Sequence, residues 1–265
     1  MKKTKSIICI VSIFIILTTY VIKSAYADCF ILADRKKIIT NEGDCKTRYT
    51  PASTFKIAIS LMGYNEEILI DENNPKVKFK KGYVDWLDNW KQTYYPSLWI
   101  KNSCVWYSQF ITKKLGFNKF QNYVNKLNYG NGNVSGDKGK SNGLTNAWLS
   151  SSLKISPIEQ LKFLQKLISN NLPVSKQAQE MTKKILYIER LGDWKLYGKT
   201  GNGLLRSDGN NKLDIQVGWF IGWIEKNGIS IIFNYLIVDE KKQKTYASFR
   251  ARDKLKKLLK KYNYY

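Results

Sequence analysis

The chain has 265 residues, 43 % hydrophobic and 25 % charged, which excludes a disordered protein and allows one large domain or two small ones sharing a core. Its formal net charge is +23, and it contains no histidine. That absence excludes Ser-His-Asp and Cys-His catalytic units and removes the commonest zinc ligand, so no metal site is expected. Any serine nucleophile must use another base.

The N-terminus reads as an export signal. Lys2, Lys3 and Lys5 form a positive leader, Ile7 to Leu17 an apolar stretch, and Ala25-Tyr26-Ala27 a small-x-small cleavage site. Residues 1–27 are therefore predicted to be a signal peptide cut before Asp28, leaving a domain over 28–265. The apolar run is short and interrupted for a membrane span, with an uncleaved membrane anchor as the alternative; no stable membrane insertion is expected after cleavage, and the mature protein is expected to be exported and periplasmic.

Cys9 leaves with the leader. Cys29 and Cys45 flank Phe30 to Asp44, which reads as two strands with a turn near Asp34-Arg35-Lys36-Lys37. Export to an oxidising compartment allows a Cys29–Cys45 disulfide, with two free thiols as the alternative. Closing such a loop stabilises by roughly 3 kcal/mol in the chain-entropy model. Cys104 has no partner and reads as a small buried residue.

The next elements follow in order. Thr50 is a good N-cap for a helix with Pro51 at its first position and Gly63 as its stop, apolar on most faces and so expected in the core. A second helix is predicted from about Ser103 to Leu115, and the Gly-, Asn- and Ser-rich stretch Asn128 to Asn146 is predicted to be largely loop. Ser156-Pro157-Ile158-Glu159 is a capping box opening a helix that ends near Asn170, and another helix runs from Ser175 to Tyr187. Trp194 to Thr200, Asp214 to Glu225 and Ile229 to Val238 read as strands, the last two joined by a hairpin at Lys226-Asn227-Gly228. A final helix covers Arg250 to Tyr262. Strands at both ends with helices between predict an α+β fold, an α/β/α sandwich. Its antiparallel sheet comes from the N- and C-terminal segments, with helices on both faces and a helical lobe from the middle of the chain.

Removing the leader's four lysines leaves +19, dispersed along the chain. The one dense run, Lys254 to Lys261, interleaves with Leu255, Leu258 and Leu259 as the solvated face of an amphipathic helix. No nucleic-acid partner is expected.

Ser-x-x-Lys occurs three times: Ser53/Lys56, Ser135/Lys138 and Ser151/Lys154. Only the first lies in a predicted apolar helix, where residues three apart share a face and the lysine reaches the hydroxyl. Burial lowers the pKa of such a lysine, and a neutral amine beside a serine is the Ser-Lys form of nucleophilic catalysis. Three further motifs follow: Ser103-Cys104-Val105, Tyr129-Gly130-Asn131, and Lys199-Thr200-Gly201 at the end of a predicted strand. With the Gly- and Trp-rich strand Gln216 to Trp223 they stand in an order that resembles the class D, or oxacillinase-type, serine β-lactamases.

The resemblance implies β-lactam hydrolysis through a Ser53 acyl-enzyme, and so β-lactam resistance. It implies no bound cofactor, but a CO2-derived carbamate on Lys56 as general base, hydrogen-bonded by Trp148 and shielded by Val105. It makes Ser103 a proton relay supported by Lys199, places the substrate carboxylate at Thr200, Gly201 and an arginine, and takes the oxyanion hole from the N–H groups of Ser53 and Asn202. Arg250 and Arg252 both fit as that arginine; Arg252, spaced with Leu255 and Leu259, is favoured as pointing toward the sheet. Trp148 to Leu153 contains no carboxylate, which excludes the loop-glutamate base of class A enzymes. The rivals are a penicillin-binding D,D-peptidase or a β-lactam sensor domain, either of which would acylate without fast turnover.

Overall fold

The structure, a computed structural model, describes residues 28–206 and 212–265; the predicted leader lies outside them. Six strands form one antiparallel sheet: β1 (Cys29–Ala33), β2 (Ile38–Gly43), β3 (Tyr187–Leu191), β4 (Trp194–Arg206), β5 (Lys212–Lys226) and β6 (Ile229–Val238). Their order across the sheet is β2-β1-β6-β5-β4-β3, so the two ends of the chain meet at the β1–β6 pair. The hairpin between β5 and β6 carries Asn227 at φ 49° and Gly228 at φ 77°, the left-handed pair a two-residue primed turn requires.

The alternation of the strands decides the layers. On β5, Val217, Trp219, Ile221 and Trp223 face one core while Phe220 and Ile224 face the other; β6 divides its apolar residues the same way. Both faces are buried, which is why these strands read as nearly unbroken apolar runs. One face is covered by α8 (Ala247–Lys261), against which Phe30, Leu32, Phe220 and Phe233 pack. The other carries α1 (Lys56–Asn65) and α6 (Pro157–Ile168). The lobe beside them adds α2 (Pro96–Asn102), α3 (Val105–Leu115), α4 (Phe117–Lys126), α5 (Gly143–Asn146) and α7 (Lys176–Ile185). The predicted α/β/α sandwich is the architecture found.

The predicted nucleophile helix differs in detail. It opens with a 3₁₀ turn, Ala52–Phe55, and becomes α-helical only at Lys56. Thr50 does not cap it: its hydroxyl donates to the Trp148 carbonyl at 2.9 Å and accepts from Ser150 N–H at 3.0 Å, tying two loops together. Gly63 does not stop it either. The helix runs on to Asn65, and the glycine is there for space, since a Cβ would lie 2.8 Å from the Leu69 side chain. The capping box at Ser156 and Glu159 forms as predicted. Cys29 and Cys45 are disulfide-bonded, and Cys104 is a buried free thiol. No helix among the described residues is long and apolar enough to cross a membrane.

Candidate active site

Ser53 sits in the 3₁₀ turn, partly open to solvent, and Lys56 stands one turn on beneath it. Lys56 Nζ is 3.1 Å from Ser53 Oγ. Burial of Lys56 is complete and lowers its pKa to about 7, opposed only by the neighbouring Cys104 thiol. An amine held there is largely unprotonated just above neutrality and can take a proton from the serine. The residue before the nucleophile, Ala52, is held at φ 47°, a left-handed conformation that costs a non-glycine residue roughly 1 kcal/mol or more.

Opposite the turn runs β4. Its pairing with β3 ends at Tyr197, so Gly198 to Arg206 present an edge that β3 leaves uncovered. That edge lies close against the Ser53 turn. A Cβ on Gly201 would be 2.7 Å from the Pro51 carbonyl oxygen, and one on Gly203 2.7 Å from Thr50 Cγ2. Only glycine allows the strand this near. Trp219 of the adjacent β5 donates to the Thr50 carbonyl at 2.8 Å, and Ser150 Oγ accepts from Leu204 N–H at 2.8 Å, fastening the turn and the Trp148 loop to the sheet.

Lys199 projects from β4 and donates to Ser103 Oγ and, at 3.0 Å, to the Thr200 carbonyl. It too is buried, 4 % exposed, and its pKa falls well below the usual lysine range, first from desolvation and then from repulsion by Lys56. Two buried amines therefore converge on two serines. Ser103 is not helical, as the sequence suggested, but a left-handed residue at φ 54° between α2 and α3, which turns its hydroxyl toward Lys199. Val105 and Trp148 are buried, and the Trp148 ring packs on Phe55 at 5.7 Å and Phe120 at 6.2 Å. Its Nε1–H is buried without a hydrogen-bond partner.

Asn202 Oδ1 accepts from Ser248 N–H at 3.2 Å, joining β4 to the start of α8. The two arginines of that helix separate. Arg250 holds Asp239 through two contacts, 2.9 and 2.7 Å. Arg252 rests over the Phe249 ring at 5.3 Å and shares with Lys199 and Thr200 the lining of a cavity of about 530 Å³. The inward stripe of α8 is Ala247, Ser248, Ala251, Leu255 and Leu259; Arg252 flanks it, its side chain 39 % exposed, rather than pointing into the sheet. A second cavity, about 320 Å³, borders Ala52 and Asn202 and is walled by Trp86, Leu149 and Tyr246. Tyr129-Gly130-Asn131 serves as scaffold: Tyr129 is buried and Asn131 donates to the Ser152 carbonyl at 2.8 Å. Among the described residues no group of three His, Cys, Asp or Glu side chains could hold a metal.

Comparison with known proteins fits this geometry. Residues 31–260 match the family model of the penicillin-binding protein transpeptidase domain. The chain is 43 % identical over 212 residues to β-lactamase OXA-1 of Escherichia coli, covering 77 % of itself and 74 % of that protein. It is 39 % identical over 231 residues to β-lactamase OXA-9 of Klebsiella pneumoniae, covering 85 % and 84 %. The crystal structure of the class D β-lactamase OXA-427 superposes with a TM-score of 0.83 at 46 % identity, over 88 % of this chain and 99 % of the other. The chain belongs to the class D β-lactamases. In this class D chain the four motifs named from the sequence fall into two sets. Ser53/Lys56, Ser103 and Lys199 to Gly201 are brought together, through Lys199 on Ser103 and Gly201 against Pro51, while Tyr129 to Asn131 belongs to the scaffold.

Proposed function

We propose that this class D chain hydrolyses the amide bond of β-lactam antibiotics through a Ser53 acyl-enzyme and so confers β-lactam resistance. The observation that carries this is Ser53 Oγ at 3.1 Å from a fully buried lysine whose pKa is lowered to about 7, on a turn pressed against the open edge of β4. Lys56 takes the Ser53 proton as Oγ attacks the lactam carbonyl. The N–H groups of Ser53 and Asn202 receive the negative charge that develops on its oxygen. The C–N bond of the ring breaks as Ser103, held by Lys199, delivers a proton to the departing nitrogen. Thr200, Gly201 and Arg252 orient the substrate carboxylate. Water then attacks the ester, releasing the opened acid and restoring Ser53.

Two buried amines with no carboxylate partner suit an anionic substituent, and Trp148 Nε1 has a proton with nothing to receive it. Both fit carboxylation of Lys56 by CO2, which would supply a carboxylate-type base where the chain has none. Trp148 would donate to the added group and Val105 would keep water from it. Carbon-13 NMR with labelled bicarbonate tests this: active enzyme lacking a carbamate resonance would sink the assignment. Residues 1–27 act as a cleaved export signal in this reading, and the protein works in the periplasm, where the Cys29–Cys45 disulfide is stable; N-terminal sequencing of the exported protein should begin at Asp28.

The deciding experiment measures turnover. Many penicillin molecules hydrolysed per protein, with a mass adduct on Ser53 and none in Ser53→Ala, supports hydrolysis; a stoichiometric burst alone indicates a sensor or a D,D-peptidase.

A further inference from the structure

Behind the Ser53 turn three buried side chains form a hydrogen-bond chain that the catalytic roles above leave unused. Tyr129 Oη lies 3.2 Å from Gln160 Oε1, Gln160 Nε2 lies 2.8 Å from Thr54 Oγ1, and Thr54 Oγ1 lies 2.7 Å from the Pro51 carbonyl oxygen. The same carbonyl accepts from Thr54 N–H at 3.1 Å. Gln160 and Thr54 are fully buried and Tyr129 is nearly so.

The direction of this chain is determined. A carbonyl can only accept, so the Thr54 hydroxyl donates its single hydrogen to Pro51. Its lone pair must then accept from Gln160, which points the amide NH2 at Thr54 and the amide oxygen at Tyr129. Tyr129 therefore donates. A flipped amide would turn the Thr54 hydroxyl away from Pro51 and leave the buried Tyr129 hydroxyl without this acceptor.

Its anchorage explains what it does. At its middle, Gln160 stands in the first turn of α6, beside the Ser156–Glu159 capping box. At its end is Pro51 O, the atom nearest to where a Gly201 Cβ would sit. The chain thus terminates at the contact between the turn carrying Ser53 and the strand carrying Asn202. That turn includes the left-handed Ala52, a conformation that persists only where its surroundings hold it.

We infer that Gln160 is a positioning residue for the reaction. Through Thr54 it holds the Pro51–Phe55 turn in register with β4, so that the N–H groups of Ser53 and Asn202 converge on one oxygen. This rests on the Ser53 acyl-enzyme reading above. Misplacement of such a pair by a fraction of an ångström slows chemistry without weakening binding to the same degree.

The test uses Gln160→Met, which keeps length and removes both hydrogen bonds, with Tyr129→Phe and Thr54→Val. Each protein is first titrated with a slowly released penicillin, so that rates are per functional site. Acylation by stopped flow, KM and thermal unfolding are then compared. Gln160→Met is expected to slow acylation per titrated site by roughly ten- to a hundredfold, with KM changed much less. Tyr129→Phe should act in the same sense more weakly. In a Thr54→Val background Gln160→Met should add little, because both cut one chain. A merely structural Gln160 would lower the melting temperature and the titratable fraction while per-site acylation stayed at the parent rate. That result, or additive losses in the double variant, overturns the assignment. Should Gln160→Met fail to fold, Tyr129→Phe carries the same per-site comparison. A parent that penicillin does not acylate at Ser53 would instead refute the hydrolase reading.

Discussion

Lys56 and Lys199 are both buried, desolvation lowers the hold of each on a proton, and the Lys56 charge lowers that of Lys199 further, with no carboxylate among the described residues paired to either. In the hydrolase reading it is burial that keeps the Lys56 amine available as a base.

Lys56 therefore works against stability. Its pKa of about 7 lies below the unfolded value of 10.5, so between those values the unfolded chain binds the extra proton. Stability should rise with pH across that window, and below about 7 the full penalty applies. Lys56→Met is expected to abolish turnover yet melt higher than the parent at pH 7, by an amount worth a few kcal/mol. The gap in melting temperature should narrow toward pH 10. A variant less stable than the parent at pH 7 would contradict the burial account.

Trp148→Phe keeps the ring against Phe55 and Phe120 and removes only Nε1–H. If that proton serves a group on Lys56, activity should fall at low bicarbonate and recover in part when bicarbonate is added. Equal losses at all bicarbonate concentrations would assign Trp148 to packing alone.

Gly201→Ala would set a methyl 2.7 Å from Pro51 O and 3.1 Å from Thr54 N. Overpacking of this kind costs about 1–3 kcal/mol, and the strand must retreat from the nucleophile. The expected result is a folded protein, melting a few degrees lower, with kcat/KM reduced at least tenfold. Retained activity would show that the strand edge has more slack than its contacts suggest.

The two arginines should part company. Arg252→Ala removes a charge-assisted contact to the substrate carboxylate, so KM should rise about tenfold or more with kcat less affected. Arg250→Ala strands Asp239, which is buried, and should cost roughly 3 kcal/mol of stability, discounted from fully buried pairs because Arg250 is partly solvated. Kinetics with and without a substrate carboxylate, alongside denaturant melts, separate the two outcomes.

Where the sequence repeated a strong local signal, it matched the structure. β5 and β6 were legible from unbroken apolar runs and an Asn-Gly turn, α6 from its capping box, and the Ser53–Lys56 pair from the apolar helix that set it apart from two other matches of the same spacing. β3 was not: Tyr187 to Leu191 is mostly exposed and lacks an apolar face, so beyond Tyr187, where the preceding helix was expected to end, no element was assigned. α2 and α4 also went unread. The left-handed turns at Ala52 and Ser103 carry no sequence mark, since neither residue is glycine. Arg252 was read as inward from its spacing with Leu255 and Leu259, but Ala251, four residues before Leu255, fills that inward position and leaves Arg252 on the flank. The Tyr129–Gln160–Thr54 chain joins three distant segments and becomes visible only in three dimensions.

The pairing of β1 with β6 bears on how such a chain is made. Cys29 lies opposite Leu236 and Ala33 opposite Ile232, so the first strand cannot dock until nearly all of the polypeptide is present. Pairings of such high contact order form late and slowly. In the export reading proposed above, a chain threaded leader-first through a secretion channel would therefore remain unfolded, and so transportable, until its last strand emerged. The short β1–β2 hairpin, clasped by Cys29 and Cys45, would be ready on the far side to receive it.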